Sequence, residues 1–169
     1  MTIKELQPTD LWNYFYEITQ IPRPSKKEGK ILAYLLDFAQ KHNLEAKQDK
    51  AGNVLITKPA TPGKEGTPTV VLQSHVDMVC EKNNDVTHNF ETDPIETIID
   101  GDWVKANGTT LGADNGVGVA AALAILASDN IPHGKIEALF TVDEETGLTG
   151  ANALEKNFIT GEILINLDT

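Results

Sequence analysis

The sequence is poor in cysteine, in basic residues and in long apolar runs. One cysteine, Cys80, among 169 residues excludes an internal disulfide and suits a reducing compartment. Lysine and arginine total 14 against 25 aspartates and glutamates, which gives a net charge of −11. No basic patch is available to neutralise phosphates, which argues against nucleic acids and anionic membranes as partners. No apolar stretch approaches membrane-spanning length and residues 1–10 lack a signal peptide's apolar segment, so we expect a cytoplasmic protein.

The apolar pattern predicts helices that alternate with short strands. Helical spacing covers residues 11–21, 28–43, 119–127 and 150–155. Strand patterns cover residues 45–49, 54–57, 69–72, 103–105, 136–142 and 163–165. Residues 25–28, Ser-Lys-Lys-Glu, have the pattern of a capping box that opens the second helix. The length fits one domain, and the alternation predicts an α/β fold with a mixed, mostly parallel sheet flanked by helices.

Metal-suited side chains stand at or near the ends of four predicted segments. They are His75 with Asp77, Asp114, Glu144 with Glu145, and Asp168. In open α/β sheets, sites gather where the carboxyl ends of the strands meet loops. Four such segments, each after an apolar strand or before a glycine-rich turn, are a much stronger signal than one residue.

Two of these segments allow more than one interpretation. In an extended His75-Val76-Asp77, the first and third side chains face the same way. Either both bind metal, or Asp77 accepts the second ring N–H of His75, or the pair is only a buried histidine with a local hydrogen bond. Asp114 lies in a glycine-rich turn, residues 112–118, where it could bridge two cations or act as a helix N-cap.

The adjacent Glu144 and Glu145 follow the apolar run 136–142, which has the composition of a buried strand. An acidic cluster where a buried strand ends is costly unless a positive charge faces it. Two carboxylates at one strand end can also divide the labour, one holding a metal and the other moving protons.

Four blocks of the sequence resemble, in the same order, segments of the di-zinc metallopeptidase family that includes the Xaa-His (aminoacyl-histidine) dipeptidases. The blocks are Ser74-His75-Val76-Asp77-Met78-Val79-Cys80-Glu81-Lys82, Thr110-Leu111-Gly112-Ala113-Asp114-Asn115-Gly116, Asp143-Glu144-Glu145-Thr146-Gly147 and Asn166-Leu167-Asp168. The resemblance covers essentially the whole chain. It implies a zinc-exopeptidase-like, phosphorylase/hydrolase-like fold.

The resemblance implies a metal ligand at four positions. His75 and Asp168 would bind one zinc ion, Glu145 would bind a second, and Asp114 would bridge the two. The peptide bond between Asp114 and Asn115 would be cis. Cobalt and manganese suit the same ligands as zinc.

It also implies two catalytic residues. Glu144 would be the general base that activates water, and Asp77 would orient the metal-binding histidine. The expected reaction is hydrolysis of Xaa-His dipeptides by a di-zinc-activated water. A related amide hydrolase (a tripeptidase, carboxypeptidase or deacylase) is the alternative within the same class.

From a different class, the alternative is a non-catalytic metal-binding module that keeps the fold. Such a module would be free to lose the base, whereas this chain retains Glu144.

One ligand of the family's site has no match in this sequence, a histidine that lies far downstream. His42, His88 and His133 are not expected to replace it, so Glu145's metal is left short of ligands. We therefore expect residues 1–169 to be the N-terminal part of the catalytic domain, with its C-terminal part and its lid and dimerisation domain absent. The full-length protein is expected to be a homodimer. The isolated chain should bind one metal well and a second weakly, and turn over poorly.

Overall fold

A five-stranded mixed sheet forms the centre of the structure, a computed structural model that describes residues 2–168. In chain order the elements are a 3-10 helix (Ile3–Glu5), α1 (Thr9–Thr19), α2 (Gly29–Lys41), β1 (Glu45–Gln48), β2 (Val54–Lys58), β3 (Val70–His75), β4 (Thr97–Asp100), β5 (Trp103–Ala106), α3 (Ala113–Ala127), β6 (Ile136–Thr141), α4 (Thr149–Asn152) and β7 (Ile163–Asn166). The strand order is β1-β2-β6-β3-β7, and β4 pairs with β5 as a separate hairpin.

Strand direction brings three chain segments to one edge of the sheet. β3 runs parallel to β6 and to β7, while β2 is antiparallel to β6. His75 pairs with Thr141 in the β3–β6 register, and Gln73 pairs with Asn166 in the β3–β7 register. The segments that leave β3, β6 and β7 therefore emerge side by side, at the carboxyl edge where α/β proteins build their sites.

The three long helices share one apolar cluster with one face of the sheet. Phe15 of α1, Leu35 of α2 and Leu123 of α3 are fully buried in it, together with Ile56 and Phe140 from the strands. Successive side chains along a strand point to opposite faces. The other face accordingly holds a smaller cluster of Leu55, Val71, Leu139 and Phe158. Helical packing on the first face therefore places α3 beside β3.

The predicted α/β class and the predicted strands at β1, β2, β3, β5, β6 and β7 are confirmed. β4 was not predicted, because its sequence, Thr-Ile-Ile-Asp, places two apolar residues side by side and shows no alternation. Among residues 2–168, no helix is both long and apolar enough to cross a bilayer.

The predicted capping box at the start of α2 is wrong. Glu28 is the N-cap residue, and no side chain caps this helix end. The Ser25 hydroxyl instead donates to Asp77 Oδ2 at 2.7 Å. Glu28 Oε1 accepts the backbone N–H of Lys26 and that of Asp143. Both polar side chains therefore turn away from the helix toward the carboxyl edge of the sheet.

Candidate metal centre

One imidazole and four carboxylates converge at the carboxyl edge of the sheet. His75, Asp114 and Glu145 each offer a ligand atom, and these atoms lie within 4.8 Å of one another. His75, Glu144 and Asp168 form a second such group. The structure thus brings together all four predicted metal ligands and the predicted base. The two groups share only the histidine.

His75 lies at the centre of the site, with its side chain 1% exposed. Its Nε2 is 3.0 Å from Asp114 Oδ1, 3.9 Å from Glu144 Oε2 and 3.9 Å from Asp168 Oδ2. Its Nδ1 lies 3.3 Å from Asp77 Oδ1 on the opposite side of the ring. Among residues 2–168, no acceptor meets hydrogen-bond geometry at Nδ1, so the contact with Asp77 is an electrostatic one that is imperfectly aligned.

The charges around His75 select a cation. Burial lowers the pKa of His75, but the carboxylates of Asp77, Asp114 and Glu144 outweigh burial and raise that pKa to about 9. Burial is also the main cause that raises the pKa of Glu145, with Asp114 and Glu144 adding to it. Crowded carboxylates around a neutral imidazole nitrogen are the donor set that zinc and similar divalent metals prefer. A metal bound at Nε2 would displace the proton from this nitrogen.

Asp77 does more than face the histidine ring. Its Oδ1 accepts the backbone N–H of Glu144 at 3.0 Å, and its Oδ2 accepts that of Glu145 at 3.2 Å. Burial raises the pKa of Asp77, but His75, these two N–H groups and the Ser25 hydroxyl lower it to about 2. One carboxylate therefore contacts the ring of His75 and holds the turn that carries the two glutamates.

Glu28 holds the same turn one residue earlier. Its Oε1 accepts the backbone N–H of Asp143 at 3.0 Å. Asp143 has a left-handed backbone with φ of 49°, and its Oδ1 accepts the Thr146 hydroxyl at 2.7 Å. Three successive backbone N–H groups, of residues 143–145, thus bind two buried carboxylates. The Ser25–Glu28 pattern favours a helix cap in the sequence, and only the fold brings these two side chains to Asp77 and Asp143.

Asp114 is not a helix N-cap. That position belongs to Gly112, and Asp114 has the non-helical angles φ −82° and ψ 115°. The predicted cis peptide bond between Asp114 and Asn115 is confirmed. Asn115 Nδ2 donates to Leu167 O at 3.1 Å, which ties the turn to the segment that carries Asp168. The Asp114 side chain is 68% exposed and therefore lies at the open side of the site.

Two clefts open on either side of Asp114. One has a volume of about 430 Å³ and reaches Leu167 and Asp168. The other has a volume of about 350 Å³ and reaches Thr110 and Glu145. Both volumes lie in the range of small-molecule sites. The carboxylates therefore border space of the size that a short peptide needs.

The other histidines lie in different surroundings. The His42 ring packs against Phe38, with ring centroids 4.3 Å apart, and the His88 ring packs against Phe90 at 4.4 Å. His133 contacts the neighbouring backbone through Nδ1.

Comparison with known proteins identifies relatives of this chain. Residues 71–166 match the sequence profile of Peptidase family M20/M25/M40. The chain is 49% identical over 167 residues to a cytosol non-specific dipeptidase of Escherichia coli K12, covering 99% of this chain and 34% of that protein.

Two solved structures that resemble this chain are also those of peptidases. The crystal structure of an aminoacylhistidine dipeptidase from Vibrio alginolyticus superposes with a TM-score of 0.98 at 51% identity, over 100% of this chain and 34% of that one. A tripeptidase from Staphylococcus aureus superposes with a TM-score of 0.79 at 28% identity, over 95% of this chain and 43% of that one. The chain thus spans about a third of the length of its more similar relatives.

Proposed function

The chain belongs to peptidase family M20/M25/M40, and from that premise we propose that it supplies the metal-binding and proton-transfer groups of a dipeptidase. The observation that carries the proposal is the convergence of one imidazole and four carboxylates beside two clefts of peptide size. The proposed reaction is hydrolysis of a dipeptide by water, with Xaa-His dipeptides as the substrate class.

The residues that would hold the metal are those that surround His75 Nε2. His75, Asp114 and Asp168 would bind one zinc ion, and Asp114 with Glu145 would bind the second. The fit is supported by the buried Nε2 facing Asp114, Glu144 and Asp168, a donor set of nitrogen and carboxylate oxygens. A bound divalent metal supplies Lewis-acid chemistry, which acidifies water to a pKa of about 7 and polarises a carbonyl group. Cobalt and manganese suit these donors as well as zinc does.

Glu144 is the proposed general base. Its backbone N–H is held by Asp77, and its Oε2 lies 3.9 Å from His75 Nε2. Its side chain keeps 24% of its surface exposed, so solvent water can reach the carboxylate. Glu144 would take a proton from the attacking water and deliver it to the amine that leaves when the peptide bond breaks.

Substrate choice is the finer part of the proposal. The relatives' names differ, since one is a non-specific dipeptidase, another an aminoacylhistidine dipeptidase and a third a tripeptidase. We propose Xaa-His dipeptides on the resemblance of the four sequence blocks. We also propose that residues 1–169 form the N-terminal part of a larger catalytic domain, within a cytoplasmic homodimer.

A substrate panel tests the proposal. Two zinc-loaded samples are compared, residues 1–169 alone and a longer protein that matches the length of the relatives. Each is assayed with β-alanyl-histidine, glycyl-histidine, alanyl-alanine and trialanine. We expect hydrolysis of the histidine dipeptides, faster at the greater length, and its loss in Glu144→Gln with metal binding kept. Equal rates for all dipeptides would favour the non-specific activity, and fastest cleavage of trialanine would favour the tripeptidase. Zinc binding without any hydrolysis at either length would instead support a metal-binding module.

A further inference from the structure

Arg23 is a buried cation behind the metal centre. It lies between α1 and α2, directly after Pro22, and is 1% exposed. Burial lowers the pKa of Arg23 to about 10, with Asp77 the foremost of the acidic groups that oppose this. The guanidinium therefore remains charged at neutral pH. A charge buried this deeply is retained only where its donors are used.

The two terminal nitrogens of Arg23 donate to backbone carbonyls of two different segments, whereas its Nε has no hydrogen-bond partner among residues 2–168. Nη1 donates to Val76 O at 2.9 Å and to Asp77 O at 3.1 Å, and Nη2 donates to Gly112 O. Residues 76 and 77 directly follow the metal ligand His75. Gly112 comes two residues before the bridging ligand Asp114. One planar fork thus spans the end of β3 and the turn that opens α3.

Two glycines of that turn make room for this guanidinium. A Cβ added at Gly112 would collide with Arg23 Nη2, and one added at Gly116 would lie 2.7 Å from the same atom. Gly116 does not have a positive φ, so its small size is what the site requires. Gly112 and Gly116 are therefore matched to Arg23.

We propose that Arg23 is a positioning residue of the metal centre, whose guanidinium sets the spacing between the strand end that carries His75 and the turn that carries Asp114. The inference rests on the metal site proposed above. Lysine at this position would keep the charge but lose the fork that reaches both segments, so geometry is separated from charge.

The test compares zinc dissociation constants of the wild type, Arg23→Lys and Gly116→Ala, measured by competition with a metal chelator. Visible absorption of cobalt-loaded samples reports the ligand geometry independently. We expect Arg23→Lys to weaken zinc binding by about 10- to 100-fold, the range seen when residues that support metal ligands are changed. Gly116→Ala presses on the guanidinium without removing it, and should shift affinity and spectrum in the same direction.

Lys58→Met is the matched control. Lys58 Nζ also donates to backbone carbonyls, those of Ile125 and Ser128, but from the opposite edge of the sheet. Its loss should lower the melting temperature and change zinc affinity by less than about threefold. All samples are compared under conditions in which circular dichroism shows that they are folded.

Four results would overturn the proposal. One is a folded Arg23→Lys that binds zinc as the wild type does, and another is a loss no larger than that of Lys58→Met. If Arg23→Lys does not fold, an unchanged dissociation constant in Gly116→Ala decides against it. A wild type that binds no zinc would refute the proposed function and, with it, this inference.

Discussion

Replacing Asp77 by asparagine should disturb both contacts of this carboxylate, the one with the ring of His75 and the one with the backbone of Glu144 and Glu145. The change keeps the size of the side chain but turns one oxygen into an N–H₂ donor. Asp77 now accepts the backbone N–H groups of Glu144 and Glu145 on different oxygens. An asparagine can accept on one oxygen only, so one of these N–H groups must face a donor.

The expected loss of unfolding free energy follows from the hydrogen bond that is lost. A hydrogen bond to a charged acceptor contributes about 1.5–3 kcal/mol, and an unsatisfied buried N–H costs about 1–3 kcal/mol, two descriptions of the same loss. We therefore expect the metal-free Asp77→Asn protein to lose about 2–3 kcal/mol of unfolding free energy. Because the turn and the ring of His75 also lose their fixed positions, zinc affinity should fall by about 10- to 100-fold.

The chain offers a matched control in the β1–β2 hairpin. Asp49 Oδ1 accepts the backbone N–H of Gly52 and that of Asn53, and its Oδ2 accepts the side-chain N–H of Asn53 at 2.8 Å, so an asparagine would again turn one donor toward another. Urea denaturation in excess chelator gives the stability of both variants, and a chelator competition gives zinc affinity. Asp49→Asn should lose a similar free energy and bind zinc as the wild type does.

Two outcomes would refute this reasoning. In the first, Asp77→Asn binds zinc with wild-type affinity, which would make Asp77 a structural residue only. In the second, Asp49→Asn weakens zinc binding as much as Asp77→Asn does, which would mean that affinity follows global stability.

Two further predictions concern metal removal and acid. Excess chelator should lower the melting temperature by several degrees, because a site at 100 times its Kd contributes about 2.7 kcal/mol; an unchanged melting curve after confirmed metal loss would contradict this. Glu137 is 1% exposed, and although burial raises its pKa, Lys135 and Thr160 lower it to about 2. Its contribution to stability is therefore complete above the unfolded-state pKa of about 4.3 and lost as pH falls toward 2. The stability gap between wild type and Glu137→Gln should shrink over that window in urea titrations, and a constant gap would be the contrary result.

Strand order explains why much of the site could be predicted from the sequence. His75, Glu144 and Asp168 each lie at or just beyond the end of an apolar run, and parallel strands bring such ends to one edge. The glycine-rich turn around Asp114 is likewise a local signal. The sequence signal for each of these residues lies within a few positions of it, so it is visible without the fold.

The supporting residues could not be found in that way. Arg23 contacts carbonyls that lie 53 and 89 residues further along the chain, so its role depends on the tertiary fold. Ser25 and Glu28 have a local pattern that favours a helix cap, yet Glu28 accepts the buried N–H of Asp143, and the Ser25 hydroxyl donates to Asp77. An unsatisfied buried N–H costs more than a missing cap on an exposed helix end, so the tertiary contacts prevail.

The most direct test of the metal centre is a calorimetric zinc titration of the metal-free protein and of His75→Ala. The account predicts one tight site and one weaker site in the wild type, and loss of the tight site in His75→Ala. His42→Ala, which removes a histidine packed against Phe38 away from the site, should titrate as the wild type does. A His75→Ala protein that still binds zinc with wild-type affinity would contradict the assignment.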